Sequence, residues 1–527
     1  MASHVSRPAW ELRARSVTSV RIAAPLGLGL LVAASLLLRT SRFGVGFWID
    51  EGLSVGIADR PFTDIPGILR LDGSPPLYYV LLHFWLRVAG HSEEAARAFS
   101  LALVLIAIPV AWWGARLLFG ERAGWAAAVL IAFNPFLTRY AQEARMYGLV
   151  ILLSLVLCVA FVRTFAGDDP SPARRWPAAF VLALVALLYT HNWGLFLGAA
   201  CVAAWIALVA LAPPGLRARR RRDGLIAFGA IAVLYAPWLP SLVFQAAHTG
   251  APWANPPDSE DLRLVPEHLL GRTAAVALLL VGGSGLAALV RARQGRQLSA
   301  EARAAVALGI LALLTVAFAF LASQASPAWA TRYLAVAVPP ILLLAAGGVA
   351  AARGTGLAAV AIVALLWLYD EPPKEKSNVR DVTEAIGPSL VPGDLVVSTQ
   401  PEQIPVLAYY LPAGLKYATL TGPVADTGVT DWRDGVERLR ASSPQKDLEP
   451  ILDALPTGRR LVLVSPTIYG VEGWSAPWTE LVRLRSEQWN QYLSNDERFR
   501  VIAIEPPSML PRRPHPVNAT VLLKERR

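Results

Sequence analysis

Cysteine and charged residues are both scarce in this chain of 527 residues. Its two cysteines, Cys158 and Cys201, lie inside apolar runs, so neither a disulfide framework nor a site built from cysteine ligands follows. Only 17% of the residues are charged, whereas 54% are hydrophobic. This balance and a mean hydropathy of +0.44 exclude an ordinary soluble globular protein and indicate an integral membrane protein.

Lysine is missing from the long apolar part of the chain, since none precedes Lys374. The formal net charge is nevertheless +10, and arginines carry it in short clusters between apolar runs. Such clusters are typical of the cytoplasmic loops of membrane proteins. We therefore expect no nucleic-acid partner.

The apolar part predicts a polytopic α-helical membrane protein within residues 1–369. Uncharged runs occupy residues 22–38, 98–115, 123–138, 146–162, 176–216, 224–244, 273–290, 304–322, 333–352 and 354–369. A helix needs about 20 mainly apolar residues to span a membrane, and the run 176–216 is long enough for two. The runs therefore predict about eleven transmembrane helices. The first lacks a convincing cleavage site, and we expect it to be an uncleaved anchor.

One further run, residues 73–86, is short for a span and predicts an interfacial helix at about 76–86, in a first outer loop at about 40–97. Counting it as a span would place the arginines of 217–222 and 291–296 outside, against the positive-inside rule. With an interfacial helix the N-terminus is cytoplasmic. Six ionisable residues then share the outer face: Asp50, Glu51, Glu143, Arg145, His191 and Arg332.

Residues 370–527 predict an extracytoplasmic α/β domain, because strand-like and helix-like patterns alternate there. Strand-like runs lie at 394–398, 460–465 and 499–504, with 520–524 as the expected edge strand. Helical patterns lie at 402–410, 432–441 and 478–493. The segment has no nucleophile elbow, phosphate-binding glycine loop or metal-ligand spacing, and we expect it to be a lid or to dock an acceptor.

The acidic pair Asp50-Glu51 follows the first span, and acids at a membrane edge are costly and by default functional. A carboxylate there can take a proton from an acceptor hydroxyl, while arginines and a histidine can neutralise a phosphate. This set of residues suits a substrate with a phosphate head and a lipid tail.

Simpler structural roles remain open for the individual residues. Glu143 and Arg145 could form a local ion pair of little consequence, and His191 could be an ordinary turn histidine. Arg332 could anchor a helix at the membrane interface. Asp72 could cap or orient the interfacial helix rather than react.

Several segments resemble motifs of the GT-C membrane glycosyltransferases. The nearest group contains bacterial mannosyltransferase-like proteins, protein O-mannosyltransferases and the lipid A aminoarabinose transferase. Phe47-Trp48-Ile49-Asp50-Glu51 is similar to the Asp-Glu signature that follows the first span in that family. Other similar segments are residues 74–79, 92–97, 140–147, 190–192, 331–334 and 376–381. The resemblance covers roughly residues 48–381.

The resemblance implies a GT-C fold in the inner or plasma membrane and inverting transfer of a sugar from a polyprenyl-phosphate donor. The expected acceptor is a glycan, glycolipid or protein, and the expected sugar is mannose or arabinose. Catalytic roles are implied for Asp50, Glu51 and Glu143, with Asp50 as the base. Contacts to the donor phosphate or sugar are implied for Arg145, Tyr147, His191, Arg332 and Tyr333. No definite cofactor is implied, and a divalent metal near Asp50 stays open.

The chain departs from its relatives at defined places. Gly73-Ser74 stands where the aminoarabinose transferase has a lysine before the paired prolines, which puts transfer of that sugar in doubt. The competing hypothesis is a transporter or flippase of a polyprenyl-linked lipid, which broken helices and midplane charges would favour. Here the charges are expected at one membrane edge, and no internal repeat is visible in the sequence. The enzyme hypothesis is therefore favoured over the transporter hypothesis.

Overall fold

The structure is a computed structural model. It describes residues 9–40, 43–167, 174–291, 293–294, 297–369, 376–468, 470, 472–505 and 515–526. The first part is almost entirely helical, and the part after residue 376 combines a sheet with helices.

The helices of the first part have these bounds: α1 Ala9–Arg39, α2 Ile49–Ala58, α3 Ile65–Asp72, α4 Leu77–Ala89, α5 Glu93–Phe119, α6 Glu121–Phe133, α7 Pro135–Ala141, α8 Tyr147–Phe161, α9 Arg175–Leu188, α10 Gly194–Ala210, α11 Pro214–Tyr235, α12 Leu239–His248, α13 Ser259–Leu270, α14 Arg272–Ala277, α15 Gly283–Arg291, α16 Ala300–Ala325, α17 Val338–Ala351 and α18 Arg353–Leu368. Two-residue strands β1 Arg293–Gln294 and β2 Gln297–Leu298 pair antiparallel between α15 and α16.

Within the described residues, five helical segments are long and apolar enough to cross a membrane: Glu93–Phe119, Tyr147–Ala166, Pro214–His248, Arg272–Arg291 and Ala300–Ala325. Shorter apolar helices accompany them, among them Ala24–Arg39 and Val338–Ala351. The protein is therefore an integral membrane protein, as predicted. A helix occupies each uncharged run of the sequence, whereas the count of eleven spans stays a prediction.

The predicted first outer loop, between α1 and α5, contains three short helices, α2, α3 and α4. Helix α4 covers the predicted interfacial segment and has one buried face with Tyr78, Tyr79 and Leu82, while Phe84 is 53% exposed on the other. Ser92 caps the next helix, α5, by accepting a hydrogen bond from the Ala95 N–H at 3.2 Å, as small hydroxyl residues do at helix starts. The position of α4 relative to the bilayer stays a prediction.

The remaining elements are α19 Val379–Ile386, β3 Leu395–Ser398, α20 Ile404–Tyr410, β4 Lys416–Thr419, β5 Gly422–Pro423, α21 Gly435–Arg440, α22 Glu449–Ala454, β6 Arg460–Pro466, α23 Pro477–Ser494, β7 Phe499–Glu505 and β8 Val517–Lys524. Strands β3 to β8 form a six-stranded sheet in the order β5-β4-β3-β6-β8-β7. Strand β3 is parallel to β4 and β6, whereas β8 is antiparallel to β6 and β7.

The prediction that residues 520–524 form an edge strand is wrong, because β8 lies between β6 and β7. Its side chains explain this position, since Val517, Ala519, Val521 and Leu522 are all buried. The edge strand β7 is instead mostly exposed. A solvent-facing edge with little buried surface is tolerated only where neighbouring strands supply the core.

The sheet-containing part packs directly on the segment between α1 and α5. Val406 of α20 belongs to the same hydrophobic cluster as Phe47 and Leu53. An ideal Cβ atom on Gly52 would lie 2.7 Å from the Val406 Cβ, so α2 and α20 approach as closely as a residue without a side chain allows. Arg380 Nη1 lies 3.2 Å from Glu93 Oε2. These contacts join the two parts at the cavity described next.

Candidate functional site

A cavity of about 610 Å³ lies where loops of the helical part meet the sheet-containing part. One wall consists of residues from the helical part, and the other consists mainly of residues after 399. Of the predicted site residues, the lining includes Asp50, Asp72, Arg145, His191, Arg332 and Tyr333. The fold therefore brings together residues that are up to 283 positions apart, from Asp50 to Tyr333, in one concave site of the kind that binds substrates.

Asp50 occupies the first turn of α2, where the helix dipole favours a negative charge. Arg145 Nε lies 3.7 Å and Arg332 Nε 3.9 Å from the same carboxylate oxygen, Oδ2. Both distances exceed a hydrogen bond, and within the described residues neither Nε atom nor Oδ2 has a hydrogen-bond partner. Burial alone would raise the pKa of Asp50, but Arg145, Arg332 and Lys376 hold it below its ordinary value of 3.8.

Arg145 is fixed by neutral groups on its other side. Its Nη1 donates to Ser54 Oγ at 3.1 Å and to Tyr79 OH at 3.4 Å. Arg332 lies over the Tyr333 ring, 5.3 Å from its centroid, within the range of a cation–π contact. Two guanidinium groups thus face one carboxylate oxygen in a largely buried place.

His191 is a neutral hydrogen-bond donor in this site. Its Nδ1 accepts the Trp193 N–H at 3.1 Å, so the ring proton is on Nε2. Burial and the neighbouring cations Arg145 and Arg332 lower the pKa of His191 to about 3, which keeps the ring uncharged at neutral pH. The ring packs 4.8 Å from Tyr333.

Glu51, the second member of the predicted acidic pair, is directed away from the cavity. Its carboxylate accepts from Arg97 Nε at 2.8 Å and Nη2 at 2.7 Å, and from the Ala144 N–H at 2.9 Å. Arg97 also donates to the carbonyl oxygens of Phe43 and Val45, each at 2.6 Å. This buried, bidentate pair fixes the start of α2 against α5 and the loop before α8.

Glu143 is 2.6 Å from Lys376 Nζ through its Oε1. Lys376 also lies 3.8 Å above the Trp48 ring, and His515 stacks on Trp48 with centroids 5.5 Å apart. The His515 N–H donates to the Lys376 carbonyl oxygen at 2.9 Å. Lys376 and His515, from the two ends of the sheet-containing part, therefore both contact Trp48, which lies two positions before Asp50.

Lys376, His515 and Arg97 were given no role by the sequence analysis. Lys376 and Arg97 lie inside segments that resemble the GT-C motifs, so their position in the sequence could have marked them as site residues. His515 lies in a proline-rich segment that resembles none of these motifs, and only the fold brings it to Trp48. Its burial lowers its pKa to about 4, so it adds no positive charge at neutral pH.

The remaining predicted residues occupy different places around the cavity. Asp72 is buried in its lining, and burial raises the pKa of Asp72 to about 6. Tyr333 lines the cavity beside His191. Tyr147 lies behind that layer, 4.9 Å from the Tyr140 ring. Asp72 and Tyr333 can therefore contact a ligand directly, whereas Tyr147 supports the residues that do.

The surroundings of Asp50 do not fit a divalent metal ion. Such ions need several oxygen ligands, mostly carboxylates, and the charged side chains nearest to Asp50 Oδ2 are the cations Arg145 and Arg332. In the described parts of the chain, no group of three or more His, Cys, Asp or Glu residues could hold a metal.

Comparisons with known proteins agree with this architecture. Residues 73–240 match the family model described as dolichyl-phosphate-mannose-protein mannosyltransferase. The fold is similar to ArnT from Cupriavidus metallidurans in its apo state, with a TM-score of 0.64, 15% identity and coverage of 95% of this chain and 98% of that one. The structure of the same protein bound to undecaprenyl phosphate is also similar, with a TM-score of 0.60 and 14% identity. It covers 94% of this chain and 97% of that one. No curated protein matches the chain.

A third similar structure is the archaeal oligosaccharyltransferase AglB from Archaeoglobus fulgidus, in complex with an inhibitory peptide and a dolichol-phosphate. Its TM-score is 0.52 at 11% identity, with coverage of 83% of this chain and 68% of that one. The identities are low, so the likeness concerns the fold. The predicted resemblance to the GT-C membrane glycosyltransferases is confirmed at that level.

Proposed function

We propose that the protein is an inverting glycosyltransferase that moves a sugar from a polyprenyl-phosphate donor to an acceptor hydroxyl outside the cytoplasm. The observation that carries the proposal is the convergence of Arg145 and Arg332 on one oxygen of Asp50 inside the cavity. A base beside two guanidinium groups is what displacement of a phosphate leaving group requires.

The donor phosphate would bind to the two guanidinium groups and the His191 Nε2–H. Their unpartnered Nε atoms offer charge-assisted hydrogen bonds to phosphate oxygens. The structures most relevant here were solved with undecaprenyl phosphate and with a dolichol-phosphate, which supports a polyprenyl lipid as the donor. The family model's description supports mannose over arabinose as the sugar.

In the reaction, Asp50 takes the proton of the acceptor hydroxyl while the acceptor oxygen bonds to the anomeric carbon. The bond from that carbon to the phosphate oxygen breaks, and its electron pair leaves on the phosphate. Attack opposite the leaving group inverts the anomeric centre. Because the bound phosphate neutralises Arg145 and Arg332, the pKa of Asp50 rises when the donor binds, so it becomes a stronger base at the moment it is needed.

The other acidic residues take supporting roles in this proposal. Glu51 holds the start of α2 through Arg97, and Glu143 orients Lys376 towards the cavity entrance beside Trp48. Asp72 contacts the sugar or acceptor from the end of α3. In this proposal the N-terminus is cytoplasmic, about eleven helices span the membrane, and residues 370–527 form an extracytoplasmic domain. No comparison supports the transporter hypothesis.

The test uses purified full-length protein in nanodiscs and a panel of radiolabelled polyprenyl-phosphate sugars. Asp50→Asn should lower sugar transfer by about 100- to 10,000-fold, the usual contribution of a general base, while donor binding persists. Asp59→Asn is the matched control, because Asp59 ends the same helix and its side chain is 57% exposed. Turnover retained by Asp50→Asn, or absent for every donor in the wild type, would refute the proposal.

A further inference from the structure

The wall of the cavity opposite the arginines has a different chemistry. It contains Trp432 and Trp474 together with Gln400 and Glu402, all from the sheet-containing part, and Trp253 from the loop after α12. We call these five residues the aromatic wall. They are separated in sequence by as many as 221 positions, from Trp253 to Trp474, and the fold alone brings them together.

Two tryptophans of this wall, Trp253 and Trp432, are held by neighbouring rings. The Trp432 ring lies 4.9 Å from the Trp253 ring at 56°, and 4.9 Å from the Trp478 ring at 62°. The backbone N–H of Trp432 donates to the Leu71 carbonyl oxygen at 3.1 Å, which ties the wall to α3. Tilted and edge-to-face packing of this kind fixes ring orientation. The orientations of the Trp253 and Trp432 rings are therefore fixed by packing.

The polar groups of the wall are buried and precisely placed. Glu402 is 7% exposed and Gln400 is 5% exposed, yet both line the cavity. Gln400 Nε2 donates to Glu402 Oε1 at 3.0 Å, and Trp478 Nε1 donates to both oxygens at 3.2 Å. A carboxyl group accepts about four hydrogen bonds, so Glu402 retains capacity for a ligand. Burying two such groups in a cavity wall is costly without a partner.

We propose that the aromatic wall is an acceptor subsite for a neutral sugar ring of a glycan or glycolipid. One face of a pyranose or furanose carries C–H groups, which pack on an indole surface, while its hydroxyls donate hydrogen bonds to a carboxyl and an amide. The wall offers both. This inference rests on the proposed function, because the sugar bound here presents its hydroxyl to Asp50 across the same cavity.

The charge of the wall selects against other acceptors. The described residues that line it after residue 399 include one carboxyl group and no lysine or arginine, and His515 is neutral at its pKa of about 4. A phosphorylated headgroup would therefore meet Glu402 without a cation to balance it. An extended peptide would need backbone partners, which indole rings do not supply.

The first measurement is binding without donor. Full-length protein in nanodiscs is mixed with methyl glycosides of mannose, arabinose or glucose, and saturation-transfer NMR reports contact with the ring protons. We expect binding by the wild type and at least a tenfold loss of affinity in Glu402→Gln and in Trp474→Ala. Glu480→Gln is the control, since Glu480 is exposed on α23. Equal binding by all four proteins would overturn the inference.

The second measurement is steady-state transfer to a neutral glycoside, a serine- and threonine-rich peptide and a phosphorylated glycolipid. The two wall variants should raise the KM for the glycoside at least tenfold and leave the donor KM within twofold. Wall-dependent use of the peptide or the phosphorylated glycolipid instead would refute the inference. Wall-dependent sugar binding without turnover of any donor would refute the enzyme and leave the sugar site standing.

Discussion

Removal of the Arg97 guanidinium should destabilise the protein severely, because it would leave the Glu51 carboxylate buried without a counter-charge. Both side chains are at most 2% exposed, and Nη2 lies 2.7 Å from Oε2. Breaking one member of such a buried pair costs about 3–5 kcal/mol. Since about 1.4 kcal/mol is a factor of ten in an equilibrium constant, Arg97→Met should raise the unfolded fraction by roughly two to nearly four powers of ten.

The assay is a double-mutant cycle with Arg97→Met, Glu51→Gln and the double variant. Reversible unfolding in mixed detergent micelles, followed by tryptophan fluorescence, gives the free energy of unfolding of each. The double variant should be more stable than Arg97→Met alone, because the buried charge is gone in it. The control is Arg116→Met, whose partner Glu121 and own side chain are each about half exposed, and it should cost less than about 1 kcal/mol.

The result that would refute the reasoning is a cost of Arg97→Met no larger than that of Arg116→Met, or costs that simply add in the double variant. Either would mean that water or another cation reaches Glu51. The same variants separate the two acidic neighbours of the sequence motif. Glu51→Gln keeps an oxygen for the Ala144 N–H and should retain far more sugar transfer than Asp50→Asn, because Glu51 acts through the position of α2.

Three further predictions concern the site. Because Asp50 acts deprotonated, kcat/KM, which follows the free enzyme, should be flat through neutral pH and fall only in acid, as pH drops through the depressed pKa of Asp50. In Arg145→Met that pKa rises, so the acid limb of kcat/KM should move to higher pH. Lys376→Met should raise the donor KM about tenfold by removing a cation near the phosphate, and an unchanged KM would exclude that contact. Gly56→Ala should lower transfer and the melting temperature, because its Cβ would lie 2.2 Å from a carbonyl oxygen, whereas Gly67→Ala, with open space around it, should do neither.

The membrane class and the general fold could be predicted from the sequence. Uncharged runs such as 98–115 and 304–322 are found in the helices Glu93–Phe119 and Ala300–Ala325, because in lipid a backbone must satisfy its own hydrogen bonds and an apolar run has few alternatives to a helix. The short motif at Asp50 also led to the resemblance that the fold comparison confirms. These features depend on residues that are close together in the sequence, so the sequence alone is enough to predict them.

The tertiary structure alone decided which acidic residue faces the cavity. Asp50 and Glu51 are adjacent and chemically alike in the sequence, but successive residues on a helix point about 100° apart, so one meets Arg145 and Arg332 while the other is bound by Arg97. The contacts of Lys376 and His515 with Trp48 and the assembly of the aromatic wall depend on where the sheet-containing part docks. That docking results from many weak packing contacts acting together, and no periodic pattern in the sequence predicts it.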